Sequence, residues 1–285
     1  MLSAPMPTAL LMNAITSNRM RIEKRTARFT SSDKVLHLEC PTSWGELSQD
    51  QLRYVLDLIG SNLYSDTEIR TYLLFRFCGI EVRKKRLKSV SCRVKLDTGK
   101  WKYFDLQNWQ VHDMIGQLGF VGSFENFGRG LDTAGEFKAA DELLSGYQFG
   151  WFLSCERKYQ AYLNTKKFEY LVDLARMLFM VGNVPVGDTE IEMEVDAALA
   201  TSVFFWFSWI KQEYARMFPH FFKPANKVGG NYSFLESYNA QLRALTDGDV
   251  TKEELVKSID TKRALTELDA KARDAEEFKA KYGSN

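Results

Sequence analysis

Residues 197–210, between Asp196 and Lys211, form a run of fourteen without a charge and carry Phe204, Phe205, Trp206, Phe207 and Trp209. At helical spacing these aromatics point in nearly every direction around the axis. A helix over about residues 192–218, stopped by Pro219, therefore has no polar face to turn to water along this run. Such a helix must be surrounded by other elements, which commits the chain to a layered, helix-rich core. The run falls short of the roughly 20 apolar residues that span a bilayer, so no membrane partner is expected.

The remaining helices follow the same rules of local signal. Ser48 with Gln51 makes a capping box, and Leu52, Val55, Leu56 and Ile59 recur at helical spacing up to Gly60. Ser65 with Glu68 repeats the pattern before Ile69, Tyr72, Leu73 and Arg76, with a stop at Gly79. Two short antiparallel helices are expected here. Residues 34–40 alternate as a short strand broken by Pro41, and residues 90–96 and 101–106 alternate about the turn residues 97–100. This reads as a β-hairpin, joined by residues 80–84 and by the strand near His37, under the cover of the helix pair.

From Asn108 the chain reads helical and then crosses Gly116, Gly119, Gly122, Gly128, Gly130 and Gly135, a density that predicts a loop or hinge. Helices are expected over 149–164 and 166–181, closed by the turn 182–187. After the core helix come pieces from Asn231 or Ser233 to about Leu245, from a third capping box at Thr251 and Glu254, and from Asp260 to about Tyr282. The fold class is therefore α+β and helix-dominated: a small, mostly antiparallel sheet with helical cover, then a helical bundle and a C-terminal amphipathic helix. The organisation reads as an N-terminal arm over 1–30, a small α+β part over 31–115, a helical domain over 136–246 and a C-terminal helical segment over 247–285.

The chain of 285 residues has 38 Lys+Arg against 37 Asp+Glu, so any electrostatic function is local. Cys40, Cys78, Cys92 and Cys155 form no C-x-x-C pair, and the basic cluster Arg19, Arg21, Lys24, Arg25 and Arg28 follows the N-terminal apolar run instead of preceding it, unlike a secretory signal. A reduced cytoplasmic setting is expected. His37, His112 and His220 are scattered, so no metal or other cofactor is expected. Gly99 with Lys100 lacks the rest of a phosphate loop, and Gly128 with Gly130 lacks the third glycine of a dinucleotide fingerprint. No catalytic constellation emerges, and the chain reads as a non-enzyme.

Two local features carry functional readings. Between residues 83 and 102, Arg83, Lys84, Lys85, Arg86, Lys88, Arg93, Lys95, Lys100 and Lys102 face the single acid Asp97. With Trp101, Tyr103 and Phe104 beside them, these bases could hold a phosphate backbone while rings stack on bases. The competing reading sends Arg93, Lys95 and Lys102 to solvent as protection for the sheet and packs the aromatics inward. In the terminal helix, Leu265, Leu268, Ala272 and Ala275 form a narrow apolar stripe that either packs back on the domain or serves a protein partner through a loosely attached segment.

Residues 41–52 (P-T-S-W-G-E-L-S-Q-D-Q-L), 239–250 (N-A-Q-L-R-A-L-T-D-G-D-V), 263–272 and 281–283 resemble stretches of uncharacterised proteins from tailed phages and prophages of Bacteroidetes hosts. The resemblance implies a structural or assembly role in the tail module, where a helical chaperone with a flexible C-terminal segment attends the tape-measure protein in the host cytoplasm. The leading expectation is thus an assembly accessory that binds its partner through the C-terminal helices. Nucleic-acid binding by the basic hairpin is the alternative.

Overall fold

The computed structural model describes residues 28–30, 35–222 and 234–282. The chain divides into two compact units, Met1–Ser123 and Phe124–Asn285. The expected N-terminal arm, apart from residues 28–30, and the start of the helix expected at Asn231 or Ser233 lie outside the described residues.

In the first unit, strands β1 (Arg28–Thr30) and β2 (Val35–His37) pair antiparallel, Arg28 opposite His37. This corrects the expectation that the strand near His37 joins the hairpin. Four residues separate β1 from β2, so closing that local pair costs far less loop entropy than reaching a strand fifty residues on. Helix α1 (Gln49–Gly60) has the expected capping box, with the Ser48 and Gln51 backbone N–H groups each donating to the other's side chain at 3.0 and 3.3 Å. It buries Leu52, Val55, Leu56 and Leu58. Its left-handed terminal residue is Asn62, at φ 52°, beyond the expected stop at Gly60. Helix α2 (Asp66–Phe77) has the matching box at Ser65 and Glu68, buries Ile69, Leu73, Leu74, Phe75 and Phe77, and turns into the sheet through Gly79 at φ 63°.

Strands β3 (Ile80–Lys85), β4 (Ser89–Lys95) and β5 (Trp101–Gln107) form an antiparallel meander in that order, with an irregularity between Val82 and Lys84. Helix α3 (Asn108–Met114) leads into a 3₁₀ helix, Ile115–Gly122, which packs against α2. Gly116, Gly119 and Gly122 thus lie in helical turns, where a loop was expected. The buried Trp44 closes this side by donating its indole N–H to the Ser123 carbonyl at 2.9 Å.

The second unit contains a sheet that the sequence does not announce. Strands β6 (Thr133–Ala134), β7 (Phe137–Ala139), β8 (Phe179–Val181) and β9 (Val184–Pro185) pair antiparallel in that order. Helix α4 (Phe149–Thr165) ends at Lys166 in the left-handed region, and α5 (Glu169–Leu178) stops three residues short of the expected 181 because its last turn gives way to β8. Helix α6 (Ala197–Met217), which contains the charge-free run, starts at Asp196, whose carboxylate accepts the Leu199 N–H at 2.9 Å. It exposes no side chain before Arg216.

Trp206, Phe207, Tyr214, Phe149 and Phe179 are the largest fully buried side chains of this core. Their polar atoms are satisfied by loop backbone: Trp206 donates to the Glu142 carbonyl at 2.8 Å and Tyr214 to the Leu143 carbonyl at 2.6 Å. Buried donors so placed fix the loop that precedes α4 to the central helix.

Helices α7 (Phe234–Thr246), α8 (Glu253–Ser258) and α9 (Thr261–Tyr282) complete the unit. The expected capping box at Thr251 and Glu254 is replaced by Asp249, whose carboxylate accepts both the Thr251 N–H and its hydroxyl and starts a 3₁₀ turn over Val250–Lys252. The terminal segment is not loosely attached. Thr261 is fully buried and donates both its N–H and its hydroxyl to the Tyr147 carbonyl, Asp260 accepts from Gly146 N–H, and Phe149 N–H donates to the Ile259 carbonyl.

Candidate nucleic-acid interface

The period of two along β4 and the register of its neighbours decide what each face of the meander presents. Val90, Cys92 and Val94 are buried, and directly opposite them stand Leu106, Phe104 and Lys102 on β5 and, on β3, Val82 opposite Cys92 and Ile80 opposite Val94. Cross-strand partners share a face. The other face therefore carries Glu81 and Lys84 from β3, Ser91, Arg93 and Lys95 from β4, and Trp101, Tyr103 and Asp105 from β5. Burial on the inner face, together with the Asp105 charge, pushes the Cys92 thiol up to about 11.

This placement corrects the expectation about the aromatics. Trp101 (38% exposed) and Tyr103 (62%) stand on the outer face beside the bases, and only Phe104 turns inward. Lys102, expected at solvent with Arg93 and Lys95, is half-buried opposite Val94 on the inner side. Once Leu106 faces the core, alternation forces positions 105, 103 and 101 outward whatever their hydrophobicity. That parity was the signal available in the sequence.

The bases divide into two sets. Arg93 is held: its Nε donates to Glu81 at 2.8 Å, Nη2 lies 2.6 Å from the same oxygen, and its guanidinium lies over the Trp101 ring at 4.1 Å. The hydrogen bond to Glu81, helped by Tyr103, keeps the Arg93 proton bound more firmly than usual. Arg86 pairs with Asp105 at 3.2 Å, and Asp105 also accepts the Ser91 hydroxyl. Arg83, Lys84, Lys88 and Lys95 are exposed and carry no ion pair among the described residues. Lys85 lies opposite the buried Val90 and contributes to holding the Glu68 carboxyl below its usual range, after the larger effects of Ser65. The β3–β4 turn is tied to α3, since Asn108 donates its N–H to the Lys88 carbonyl and its side-chain amide to the Leu87 carbonyl, both at 3.0 Å. The exposed Trp109 follows directly.

Charge is also segregated along the chain. Residues 1–123 contain 18 Lys+Arg against 12 Asp+Glu, and residues 124–285 contain 20 against 25. The acids that balance the hairpin in the overall count thus belong mostly to the second unit.

The C-terminal stripe is occupied from within. Leu265 and Leu268 are buried in the second unit, Ala272 is half-buried, and Ala275 is exposed. The leucines are therefore not presented to a partner. The exposed apolar side chains of α9 lie further along, at Phe278 (66%) and Tyr282 (60%), whose rings are 4.9 Å apart. They continue the three-four spacing past the point where the expected stripe stops.

Among the described residues no group of three or more His, Cys, Asp or Glu side chains could hold a metal ion, and no helix is long and apolar enough to cross a membrane. The buried Tyr159 and Ser208 hydroxyls, 2.8 Å apart, are closed by the Phe204 carbonyl, with Lys211 paired to Glu156 alongside. Burial raises the Tyr159 hydroxyl above its usual range, the opposite of what an acid–base role would need. No protein-family model matches this chain, and comparison with curated proteins and with solved structures finds no match either.

Proposed function

We propose that this chain binds single-stranded nucleic acid, without catalysis, on the outer face of the β3–β5 sheet. The observation that carries the reading is the shared face: Trp101 and Tyr103, two residues apart on β5, project from the same side as Lys84, Arg93 and Lys95. Exposed rings on a strand offer stacking platforms to unpaired bases, whose faces a duplex keeps buried, while lysines beside them neutralise the phosphates. Arg93, locked between Glu81 and Trp101, positions the indole; Arg83, Lys84, Lys88 and Lys95 are the phosphate contacts.

Fluorescence anisotropy with a labelled oligothymidine and with a duplex of equal length tests this on the full chain. Trp101→Ala and Tyr103→Ala should each weaken single-strand binding by about 5- to 150-fold, the equivalent of roughly 1–3 kcal/mol per stacked base. With four phosphate contacts, the affinity should fall with a log–log salt slope of about −3, at roughly 0.7 per contact. No binding at low salt, or an equal loss in Lys279→Ala on the other unit, would remove the proposal.

A second reading rests on the exposed Phe278 and Tyr282. The phage-type assembly role, with a tape-measure or other tail protein as partner, loses Leu265 and Leu268 as its contact residues but keeps this helix end. A Phe278→Ala, Tyr282→Ala double variant that no longer binds a purified candidate tail protein, with nucleic-acid binding unchanged, would favour it over the sheet.

A further inference from the structure

Cys40 and Cys78 lie 38 positions apart in the sequence but meet in the first unit. Cys78 caps the C-terminus of α2, where its N–H is bonded to Leu74 and Arg76 carbonyls, and it is buried. Its thiol donates to the Glu39 carbonyl at 3.6 Å, the peptide oxygen immediately before Cys40, which places the Cys40 side chain beside it. Cys40 is half-buried and reaches the surface; Cys92 and Cys155 are buried elsewhere. Neither cysteine of the pair is in a disulfide. We propose that Cys40 and Cys78 form an oxidisable dithiol, which a small disulfide such as oxidised glutathione converts into an intrachain disulfide.

The accessible Cys40 takes the first step. Its thiolate attacks one sulfur of glutathione disulfide and releases one glutathione thiolate, leaving a mixed disulfide on Cys40. Cys78 then gives up its proton and displaces the second glutathione, closing the Cys40–Cys78 bond. Two protein thiols are oxidised, one glutathione disulfide is reduced to two thiols, and the two cysteine protons end on the two released glutathiones. In the dithiol the neighbouring Cys40 and then burial hold the Cys78 thiol far above its usual range; burial persists in the mixed disulfide, so the second step is the slow one and quickens as pH rises. The bond ties the segment after β2 to the end of α2 and encloses both capped helices, which constrains the unfolded chain. This site lies apart from the sheet's outer face and does not depend on the binding reading.

Oxidation of the folded full chain with glutathione disulfide, followed by alkylation and peptide mapping, tests the inference. The expected result is a linked Cys40–Cys78 peptide, Cys92 and Cys155 recovered as alkylated thiols, and persistence of the link in an excess of reduced over oxidised glutathione. Cys40→Ser should leave Cys78 unreacted, and since Cys40 is half-buried this variant keeps the core intact. A glutathione adduct that stays on Cys40 without transfer, or a link that forms only in the urea-unfolded chain, would overturn the proposal. The mapping of the unaltered chain decides the matter even where a variant folds poorly.

Discussion

Leu265→Ala distinguishes a structural stripe from a docking stripe. Leu265 is fully buried on α9, next to the equally buried Ala264 and one turn before Leu268. Removing three carbons forfeits about 2.4 kcal/mol of transfer free energy at roughly 0.8 kcal/mol per CH₂. The cavity left behind raises the total to about 3–4 kcal/mol, within the range for buried leucines. Against a total stability of about 5–15 kcal/mol this is a large fraction. Urea unfolding of the full chain, followed by hydrogen exchange in peptides from α6 and α9 so that the second unit is read by itself, should show the midpoint lowered by about 1.5–2 M at a slope of about 2 kcal/mol per M. Phe278→Ala, at an exposed position of the same helix, should stay within about 0.5 kcal/mol. The reasoning is refuted if Leu265→Ala costs less than about 1 kcal/mol or if Phe278→Ala costs more than it does, since either result would put the terminal leucines at the surface.

Two further substitutions test local geometry. Gly130 has φ +79°, and a Cβ there would meet the Phe127 ring at 2.8 Å and the Ser202 hydroxyl closer still, so Gly130→Ala should cost about 2–4 kcal/mol in thermal or chemical unfolding; Gly146→Ala, at φ +80° with open space around it, should cost only about 1–2 kcal/mol. Ser65→Ala should destabilise the first unit by about 1 kcal/mol at neutral pH through loss of the cap. The backbone N–H of Ser65, and then its hydroxyl, hold the Glu68 carboxyl below its usual range. A lowered folded-state value means that this carboxylate's contribution is complete above the unfolded value of about 4.3 and disappears as pH falls through the folded one. The difference in stability between the unaltered chain and Ser65→Ala should therefore shrink on acidification to about pH 3, and a difference that grows instead would contradict the assignment.

What was legible in the sequence was what is decided locally. The boxes at Ser48 and Ser65 are closed by residues three positions apart, so spacing alone fixes them. The central helix was legible because the aromatics on every side of its charge-free run leave no other environment for it. The sheet of the second unit was not, for a physical reason: its strands are two or three residues long, and Lys138 pairs with Met180 across more than forty positions. A segment so short has no period of its own, and residues 179–181 simply extended the helical pattern of α5. At Thr251 the capping pattern was present but lost to Asp249, a stronger acceptor two residues upstream. In the candidate site the strands follow the expected alternation, and of the two readings of the hairpin the one that packs its aromatics inward fails at Trp101 and Tyr103, because the buried Leu106 fixes their parity outward whatever their hydrophobicity.

That parity has an energetic consequence for the binding proposal. Trp101 and Tyr103 do not fill the core, which on this sheet is built from Ile80, Val90, Cys92, Val94 and Leu106. An exposed aromatic on an edge strand contributes to stability mainly through its cross-strand neighbours, about 0.2–1 kcal/mol. Here the shared neighbour is Arg93, directly opposite Tyr103 and diagonal to Trp101, and it keeps its bond to Glu81 when the indole is removed. Tyr103→Ala should therefore leave the fold almost unchanged, and Trp101→Ala should free one face of Arg93 without unpairing it. Recognition and folding are thus separable at these two positions, unlike at Phe104 or Leu106, and a folded Tyr103→Ala chain that binds a single strand as tightly as the unaltered chain would count directly against stacking.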